Sequence, residues 1–438
     1  MKMKRRRKTF ALAAVFAAGV WAAFADPVIS DITVKQRWPW NGKVDIDYTL
    51  VAETNCDVTL TATYLGSGDP IVFTNGVIAK TQVGVKPGRN HVVWNPKDSG
   101  LGGKTLANFT VTAEAASVAD RAYLVLNLID GSYEFASAPP SVEDGGWTNT
   151  IYKSTKMVFR RIPAGTYKLG NSSDAVKLVH LSNPGRYSPK CPLRDVTITS
   201  DFYIGIFKVT AAQRDAVVND STSSTTFTGY RFYYDEMRGT SQSNGIDWPS
   251  TGHEVYSASF LGKMRAKMKL DSSCTIDLPT DAMWEAAARG GIADGVTANG
   301  GTASDSLETI SNLVNRIGWT AISKAFDPSI SYPGNGQPVG LLEPNSFGLY
   351  DVCGDLSELV MDVSTTTSGD VEAPTGETVD PIGAESIEGG TSYRIAKCCG
   401  YGSGMGWNVL PAFRSRVGTT SAAKNSARLC IYLNPLKK

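Results

Sequence analysis

Histidine is scarce in this chain, and cysteine pairs with metal-ligand spacing are missing. Only three histidines occur among 438 residues, and they lie far apart, at His91, His180 and His253. No two cysteines are separated by two residues, as they are in the common zinc-binding pairs. Because a structural zinc ion needs four closely grouped nitrogen or sulfur ligands, these absences argue against a zinc site built on histidine and cysteine.

An imbalance of charge is also missing. The chain has 43 lysines and arginines against 42 aspartates and glutamates, a formal net charge of +1. Proteins that bind nucleic acids usually carry a strongly basic surface, so we expect no nucleic-acid partner. The length is typical of two or three domains with cores of their own.

Long apolar runs are missing except at the N-terminus. Six basic residues lie between positions 2 and 8, an apolar run covers residues 10–24, and Ala23 and Ala25 provide small side chains for cleavage. This order predicts a secretory signal peptide over residues 1–25, with an uncleaved anchor as the alternative. The run is short for a membrane span. We therefore expect an exported protein (periplasmic, cell-surface or secreted) without a membrane span.

Residues 26–136 have the pattern of a small all-β module. Short runs in which apolar residues such as Val44 and Ile46 alternate with polar ones are separated by turns rich in glycine. This spacing predicts an antiparallel sandwich of immunoglobulin-like size. Residues 137–155 are polar and contain proline and glycine, which predicts a linker. The second domain is expected over residues 156–438.

Two segments of the second domain have the most specific patterns. Residues 278–291 predict a helix that starts after Thr280, a residue suited to the N-cap, and ends at Gly290. Apolar side chains one turn apart give this helix an apolar face. Residues 345–358 predict a loop with oxygen-bearing side chains at alternate positions.

Thr210 is expected to cap a helix that runs through Val218, and residues 202–210 carry a third motif, Phe-Tyr-Ile-Gly-Ile-Phe-Lys-Val-Thr. It is similar to the motif F-Y-I-G-x-Y-E-V-T of the formylglycine-generating enzyme (sulfatase-modifying factor) family, and the two segments above resemble the signatures of that family. The likeness covers about residues 157–433. It implies an α+β, C-type-lectin-like fold that is rich in loops.

The resemblance implies a calcium site, because family members carry calcium beside the second signature. The matching positions are the side chain of Asp351, the carbonyls of Gly354 and Leu356, and the carboxylate of Glu358. Calcium takes about six to eight hard oxygen ligands, and this spacing lets one loop surround one ion. The alternative is a metal-free loop in which Glu358 pairs with a lysine or an arginine.

The resemblance also implies where catalytic thiols should lie. Formylglycine-generating enzymes use two closely spaced cysteines that bind copper(I), a metal favoured by soft sulfur ligands. The matching positions here fall near Ser403 and Asn408, and no cysteine occurs between Cys399 and Cys430. The sequence therefore argues against copper and against formylglycine-generating activity.

Cys398 and Cys399 stand where the family has two glycines. Adjacent thiols hold one copper ion poorly, so a disulfide is the simpler expectation. Cys398 and Cys399 would form a vicinal disulfide with each other, or separate disulfides with Cys274, Cys353 or Cys430. Because the number of cysteines is seven, at least one thiol stays unpaired. A relocated redox role is the alternative.

From these observations we predict a non-catalytic exported module that binds a protein or a glycan. One alternative is a divergent oxidoreductase with relocated cysteines, and another is an adhesive envelope protein with the β module as a spacer. The residues expected to line the ligand cleft are Ser403, Trp407, Asn408, Arg414 and Arg416.

Overall fold

A computed structural model gives the architecture of the chain. The residues that it describes are 26–37, 41–67, 71–73, 82–172, 174, 192–232, 234–239, 253–270, 274–320, 336–364, 378–382, 393–397, 410–418 and 425–433. The predicted signal peptide, residues 1–25, lies outside them. None of the described helices is long and apolar enough to span a membrane.

The N-terminal module consists of two antiparallel sheets that share one hydrophobic core. The first sheet has the order β1-β2-β6, and in the second β3 pairs with β4, β5 and β7. Alternate residues of β2 are buried, as the sequence pattern predicts, and Ile46 packs against Val58 and Leu60 of β3. The strands are β1 Val28–Gln36, β2 Val44–Val51, β3 Cys56–Thr63, β4 Ile71–Phe73, β5 Gln82–Val85, β6 Gly88–Trp94 and β7 Thr110–Ser117.

Two strands that lie before the predicted boundary at residue 136 pair with the sheet of the C-terminal domain. Strands β8 (Tyr123–Asn127) and β9 (Tyr133–Ala136) pair with each other, and β8 also pairs with β10 (Lys156–Ile162). The first four residues of β8 are all buried, on both faces of the strand. A continuous apolar run of this kind is typical of a strand covered on both sides rather than of a half-exposed one.

The predicted linker at residues 137–155 is also an ordered part of the C-terminal domain. Two short 3-10 turns, Gly146–Thr148 and Thr150–Lys153, follow β9. Trp147 is buried, and its ring centroid lies 5.0 Å from that of Tyr123 and 4.9 Å from that of Tyr152. The aromatic contacts hold the segment against the sheet, although its composition is typical of a linker.

The C-terminal domain contains a six-stranded sheet of order β14-β21-β13-β10-β8-β9 and a four-stranded sheet of order β19-β18-β17-β20. Two further pairs are β11 with β12 and the short parallel pair β15 with β16. The strands not yet given are β11 Gly165–Leu169, β12 Arg194–Ile198, β13 Phe202–Gly205, β14 Thr275–Asp277, β15 Gly318–Trp319, β16 Cys353–Gly354, β17 Glu358–Ser364, β18 Tyr393–Lys397, β19 Arg414–Gly418, β20 Ser426–Ala427 and β21 Cys430–Tyr432.

Helices pack beside these sheets, and their ends follow the sequence signals. Thr210 forms a capping box with Gln213 at the start of the first helix. Thr280 accepts a hydrogen bond from the Met283 N–H, and Gly290 ends that helix with a φ of 58°. The helices are α1 Ala211–Val218, α2 Tyr234–Met237, α3 Phe260–Lys267, α4 Asp281–Arg289 and α5 Leu307–Ile317. With the mixed sheets they make an α+β fold.

A buried ion pair joins the N-terminal module to the C-terminal domain. Asp57 of β3 accepts two hydrogen bonds of 2.9 Å from the guanidinium of Arg161 in β10. Arg161 also donates to Asp201 at 2.8 Å, and Arg121 donates to Asp57 at 3.1 Å. Asp57 and Arg161 are each 4 % exposed. This geometry fixes the module against the domain, since a bidentate arginine–carboxylate pair restrains both distance and angle.

Asparagine in place of Asp57 is expected to loosen this contact and lower the free energy of unfolding by about 1–3 kcal/mol. Arg161 keeps Asp201 as a partner, so the loss is partial. In scanning calorimetry we expect the native protein to unfold in one transition and Asp57→Asn in two. The control is Asp220→Asn, since Asp220 pairs with Lys267 but its side chain is 84 % exposed. Equal single transitions in both variants would show that the ion pair does not couple the domains.

Candidate functional site

The helix of the first signature, α4, is buried on all sides, including its charged residues. The prediction of one apolar face is therefore incomplete, because the polar face is covered as well. Asp281 Oδ1 lies 2.7 Å from Lys397 Nζ, and Asp281 Oδ2 accepts a hydrogen bond of 2.9 Å from Arg414 Nε. The side chains of all three residues are at most 1 % exposed. Asp281 of α4 thus neutralises two cations that belong to the four-stranded sheet.

Glu285, one turn further along α4, joins the helix to the turn after β11. Its Oε1 accepts hydrogen bonds of 2.8 Å from the Gly170 N–H and from Arg289 Nε. Arg289 in turn donates to the Gly170 carbonyl and to Asn171 Oδ1. Burial by itself raises the pKa of Glu285, but the positive charges of Lys397, Arg289 and Arg414 outweigh burial and lower it well below its ordinary range. The carboxylate therefore stays ionised inside the domain.

Trp284 connects the two signatures. Its indole Nε1 donates a hydrogen bond of 2.7 Å to Glu358 Oε2, at the end of the second signature. Lys397 Nζ lies 5.5 Å from the centroid of the indole system, within cation–π range. One aromatic side chain thus contacts both the Asp281 ion pairs and the carboxylate of Glu358.

The second signature begins by capping the C-terminal end of α4. Asn345 Nδ2 donates hydrogen bonds of 2.8 and 2.9 Å to the carbonyls of Ala287 and Ala288, and Ser346 Oγ donates to the carbonyl of Gly290 at 2.6 Å. The last carbonyls of a helix have no partner within the helix. The sequence pattern predicts a loop here but gives no sign that the loop caps α4.

The four predicted calcium ligands lie together in the buried loop that follows. Asp351 is 3 %, Leu356 7 % and Glu358 0 % exposed, and Gly354 is buried as well. The ammonium of Lys208 contacts this loop and donates hydrogen bonds of 2.8 Å to the Asp351 carbonyl and 3.2 Å to the Gly354 carbonyl. The calcium site itself stays a prediction.

Glu358 forms a buried ion pair with Arg428. Arg428 Nη2 donates to Glu358 Oε1 and Nε donates to Oε2, each at 3.1 Å. The remaining donors of Arg428 bind the carbonyls of Gly205, Ile206 and Tyr350 at 2.6–2.9 Å. Burial alone raises the pKa of Glu358, whereas Arg428 and Lys208 lower it, and the net shift is downward. Glu358 thus pairs with an arginine, and whether the loop also binds calcium is a separate question that these contacts leave as a prediction.

Of the predicted cleft residues, the structure places Arg414 inside the domain. It is 3 % exposed and donates to Asp281, and its role in a ligand cleft stays a prediction. Arg416 lies in β19 opposite Ile395, and its side chain is not described. The predicted residues outside the described part of the chain are Cys398, Cys399, Ser403, Trp407 and Asn408.

Lys397 and Arg414 are cross-strand partners at the ends of β18 and β19. The segment with the predicted cleft residues runs between them in sequence. Because both side chains bind Asp281, the two points where this segment leaves the sheet are tied to α4. Sequence spacing gives no sign of this arrangement, since Asp281 lies more than one hundred positions before both Lys397 and Arg414.

Two described cysteines are free thiols inside hydrophobic cores. Cys56 lies in β3 and Cys430 in β21, and both are 0 % exposed. Burial raises the pKa of the Cys56 thiol and raises that of Cys430 further, and nearby aspartates add to both shifts. The pairing of Cys398 and Cys399 lies outside the described residues and stays a prediction.

Comparison with known proteins gives a family match over most of the chain. The model of the "Sulfatase-modifying factor enzyme 1-like domain" matches residues 148–426. Treponema denticola variable protein 1 is similar in structure, with 17% identity and a TM-score of 0.40 over 63% of this chain and 95% of that one. PvdO from Pseudomonas aeruginosa has 17% identity and a TM-score of 0.38 over 63% and 94%. CarF has 18% identity and a TM-score of 0.33 over 63% and 97%. No curated protein matches.

Proposed function

Since the chain belongs to the family of sulfatase-modifying factor enzyme 1-like domains, we propose that it is an exported member that binds a protein or glycan and does not generate formylglycine. The observation that carries this proposal is the missing thiol pair. No cysteine occurs between Cys399 and Cys430, where the resemblance places the copper-binding cysteines. Fold alone does not establish activity, which depends on the residues of the site.

Three of the described cysteines lack the properties of a catalytic thiol. A catalytic or metal-binding cysteine acts as the thiolate and is usually exposed to its substrate, with a lowered pKa. Cys56 and Cys430 have the opposite properties, because both are buried and their pKa values are raised. Cys353 is also buried, at 1 % exposed.

The scaffold, by contrast, keeps its internal contacts. The two signatures are joined through Trp284 and Glu358, and Asp281 ties α4 to β18 and β19. A domain that has these internal contacts but lacks the catalytic cysteine pair can still use its surface to bind a ligand. We propose that this surface is formed by residues 398–416, with Ser403, Trp407, Asn408 and Arg416 as candidate contacts.

Three further features of the chain support the proposal that the domain binds its ligand outside the cell. The basic and apolar N-terminus has the pattern of a signal peptide, which supports the proposed export. The two antiparallel sheets of the N-terminal module support the predicted immunoglobulin-like sandwich, and Asp57 fixes the module to the domain. The module would act as a rigid spacer. Residues 26–438, the expected mature chain, have a formal net charge of −5, which suits a neutral glycan or a protein surface better than a polyanion.

The proposal predicts no oxidation of a substrate cysteine. Purified mature protein, copper(I) and a cysteine-containing sulfatase peptide are incubated in air, and aldehyde formation is followed by mass spectrometry. We expect no more aldehyde than in a blank with free copper. An active family enzyme serves as positive control, and the double variant C398S/C399S serves as matched control.

Aldehyde formed by the native protein but not by C398S/C399S would favour the divergent oxidoreductase instead. Binding is tested separately, by retention of the protein on immobilised cell-wall and mucin-type glycans and on envelope proteins. Saturable retention on one of these classes supports the binding module, whereas no retention on any class contradicts it.

A further inference from the structure

The ammonium of Lys208 lies at the centre of the second signature loop. The side chain is 0 % exposed, and Nζ is 2.8 Å from the Asp351 carbonyl and 3.2 Å from the Gly354 carbonyl. Two carboxylates are close by, with Asp355 Oδ2 at 3.9 Å and Glu358 Oε1 at 3.8 Å. A single positive charge therefore contacts backbone oxygens and carboxylates of one short loop, as a bound cation would.

The backbone of the loop is curved toward this point. Asp351, Gly354 and Asp355 all have left-handed conformations, with φ of 56°, 73° and 63°. A Cβ atom at Gly354 would lie 2.0 Å from the Trp319 carbonyl, so only glycine fits there. Buried carbonyls need a hydrogen-bond donor or a cation, and Lys208 provides one for two of them.

The predicted calcium ligands do not fit a resident calcium ion in this arrangement. The Gly354 carbonyl already accepts from Lys208, and both oxygens of Glu358 accept from Arg428, with Trp284 as a further donor. A calcium ion needs such oxygens at about 2.3–2.6 Å. At that distance it would lie next to the buried ammonium of Lys208, and the two positive charges would repel each other. Asp351 Oδ1 has no hydrogen-bond partner among the described residues, but one oxygen is far from the required number.

We propose that the Lys208 ammonium takes the structural place of the calcium ion in this protein. The cation that organises the second signature is then a covalent part of the chain, supplied by the residues between β13 and α1. The consequence is that this loop, and the surface supported by it, keeps its structure when the concentration of free calcium changes.

The test combines calcium dependence with removal of the ammonium. We expect the thermal unfolding midpoint of the native protein to be the same in excess EDTA and in millimolar calcium, and calorimetric titration of the native protein with calcium chloride to show no binding at the loop. We expect Lys208→Met to lower the folding equilibrium constant about a hundredfold or more, as for loss of one partner of a buried ion pair. The control is Lys168→Met, since Lys168 and its partner Asp195 are 46% and 64% exposed.

A rise in the unfolding midpoint of the native protein with calcium would overturn the proposal. So would a Lys208→Met variant as stable as Lys168→Met. If Lys208→Met does not fold, the calcium titration of the native protein still decides. Neither measurement depends on ligand binding or catalysis, so the outcome is independent of the proposed function.

Discussion

Glutamine in place of Glu358 is expected to destabilise the C-terminal domain by about 3–5 kcal/mol, the range for breaking a buried ion pair. Glu358 is the shared partner of Arg428 and Lys208, and all three side chains are 0 % exposed. Glutamine keeps the size of the side chain but leaves both cations without this charge. The loss is a large part of a typical folding free energy of about 5–15 kcal/mol.

The measurement is equilibrium unfolding in urea, followed by tryptophan fluorescence. Trp284 donates to Glu358, so its environment reports on this pair directly. The matched control is Glu343→Gln, because Glu343 also pairs with an arginine, Arg316, but both side chains are more than half exposed. Equal stability of the two variants would mean that the Glu358 ion pair contributes no more than a surface one.

Asparagine in place of Asp281 is expected to have an effect of similar size, about 3–5 kcal/mol. Lys397 and Arg414 would lose the carboxylate that lies between them, and Glu285, at 3.4 Å from Lys397 and 3.6 Å from Arg414, compensates only in part. Because the two cations end β18 and begin β19, we also expect weaker protection from hydrogen exchange at residues 393–397 and 414–417. The ends of both strands would loosen together.

The same variant is expected to change the pH dependence of stability. Burial alone raises the pKa of Asp281, but Arg414 and Lys397 outweigh it, and the pKa is lowered from the ordinary value. A carboxyl with a lowered pKa in the folded state adds stability above its unfolded pKa, about 3.9, and this stability is lost as the pH falls further toward the folded pKa. The native unfolding free energy should therefore fall below about pH 4 more steeply than that of Asp281→Asn.

Urea unfolding midpoints, measured at a series of acidic pH values, give the pH dependence of stability for the native protein and for Asp281→Asn. Asp195→Asn is the control, since Asp195 is 64% exposed in its pair with Lys168. Its pH profile should follow that of the native protein. If Asp281→Asn also follows the native profile, Asp281 does not contribute an ion pair in the folded state.

Local structure could be predicted well where a few neighbouring residues decide it. Thr210 and Thr280 cap their helices, and Gly290 ends α4, as their side chains and positions predict. The alternating pattern of β2 places its apolar residues in a core. The family resemblance is confirmed by the match over residues 148–426.

Domain boundaries could not be predicted in the same way. Residues 123–136 have strand patterns, but a strand pattern does not say which sheet the strand joins. Strand β8 pairs with β10, which begins after a segment whose proline and glycine content is typical of a linker. The buried Trp147 nevertheless holds that segment in place. The match of the family model from residue 148 agrees with an earlier start of the domain than residue 156.

The sequence by itself determined the helix caps of α1 and α4, the α+β class, the family and the absence of a cysteine pair between Cys399 and Cys430. Only the tertiary structure decided that Asp281 binds Lys397 and Arg414, and that Lys208 lies among the predicted calcium ligands. The physical reason is the sequence separation between the residues that decide each feature. A cap or a turn depends on residues within about four positions, whereas the partner of a buried charge depends on which distant segments fold against it.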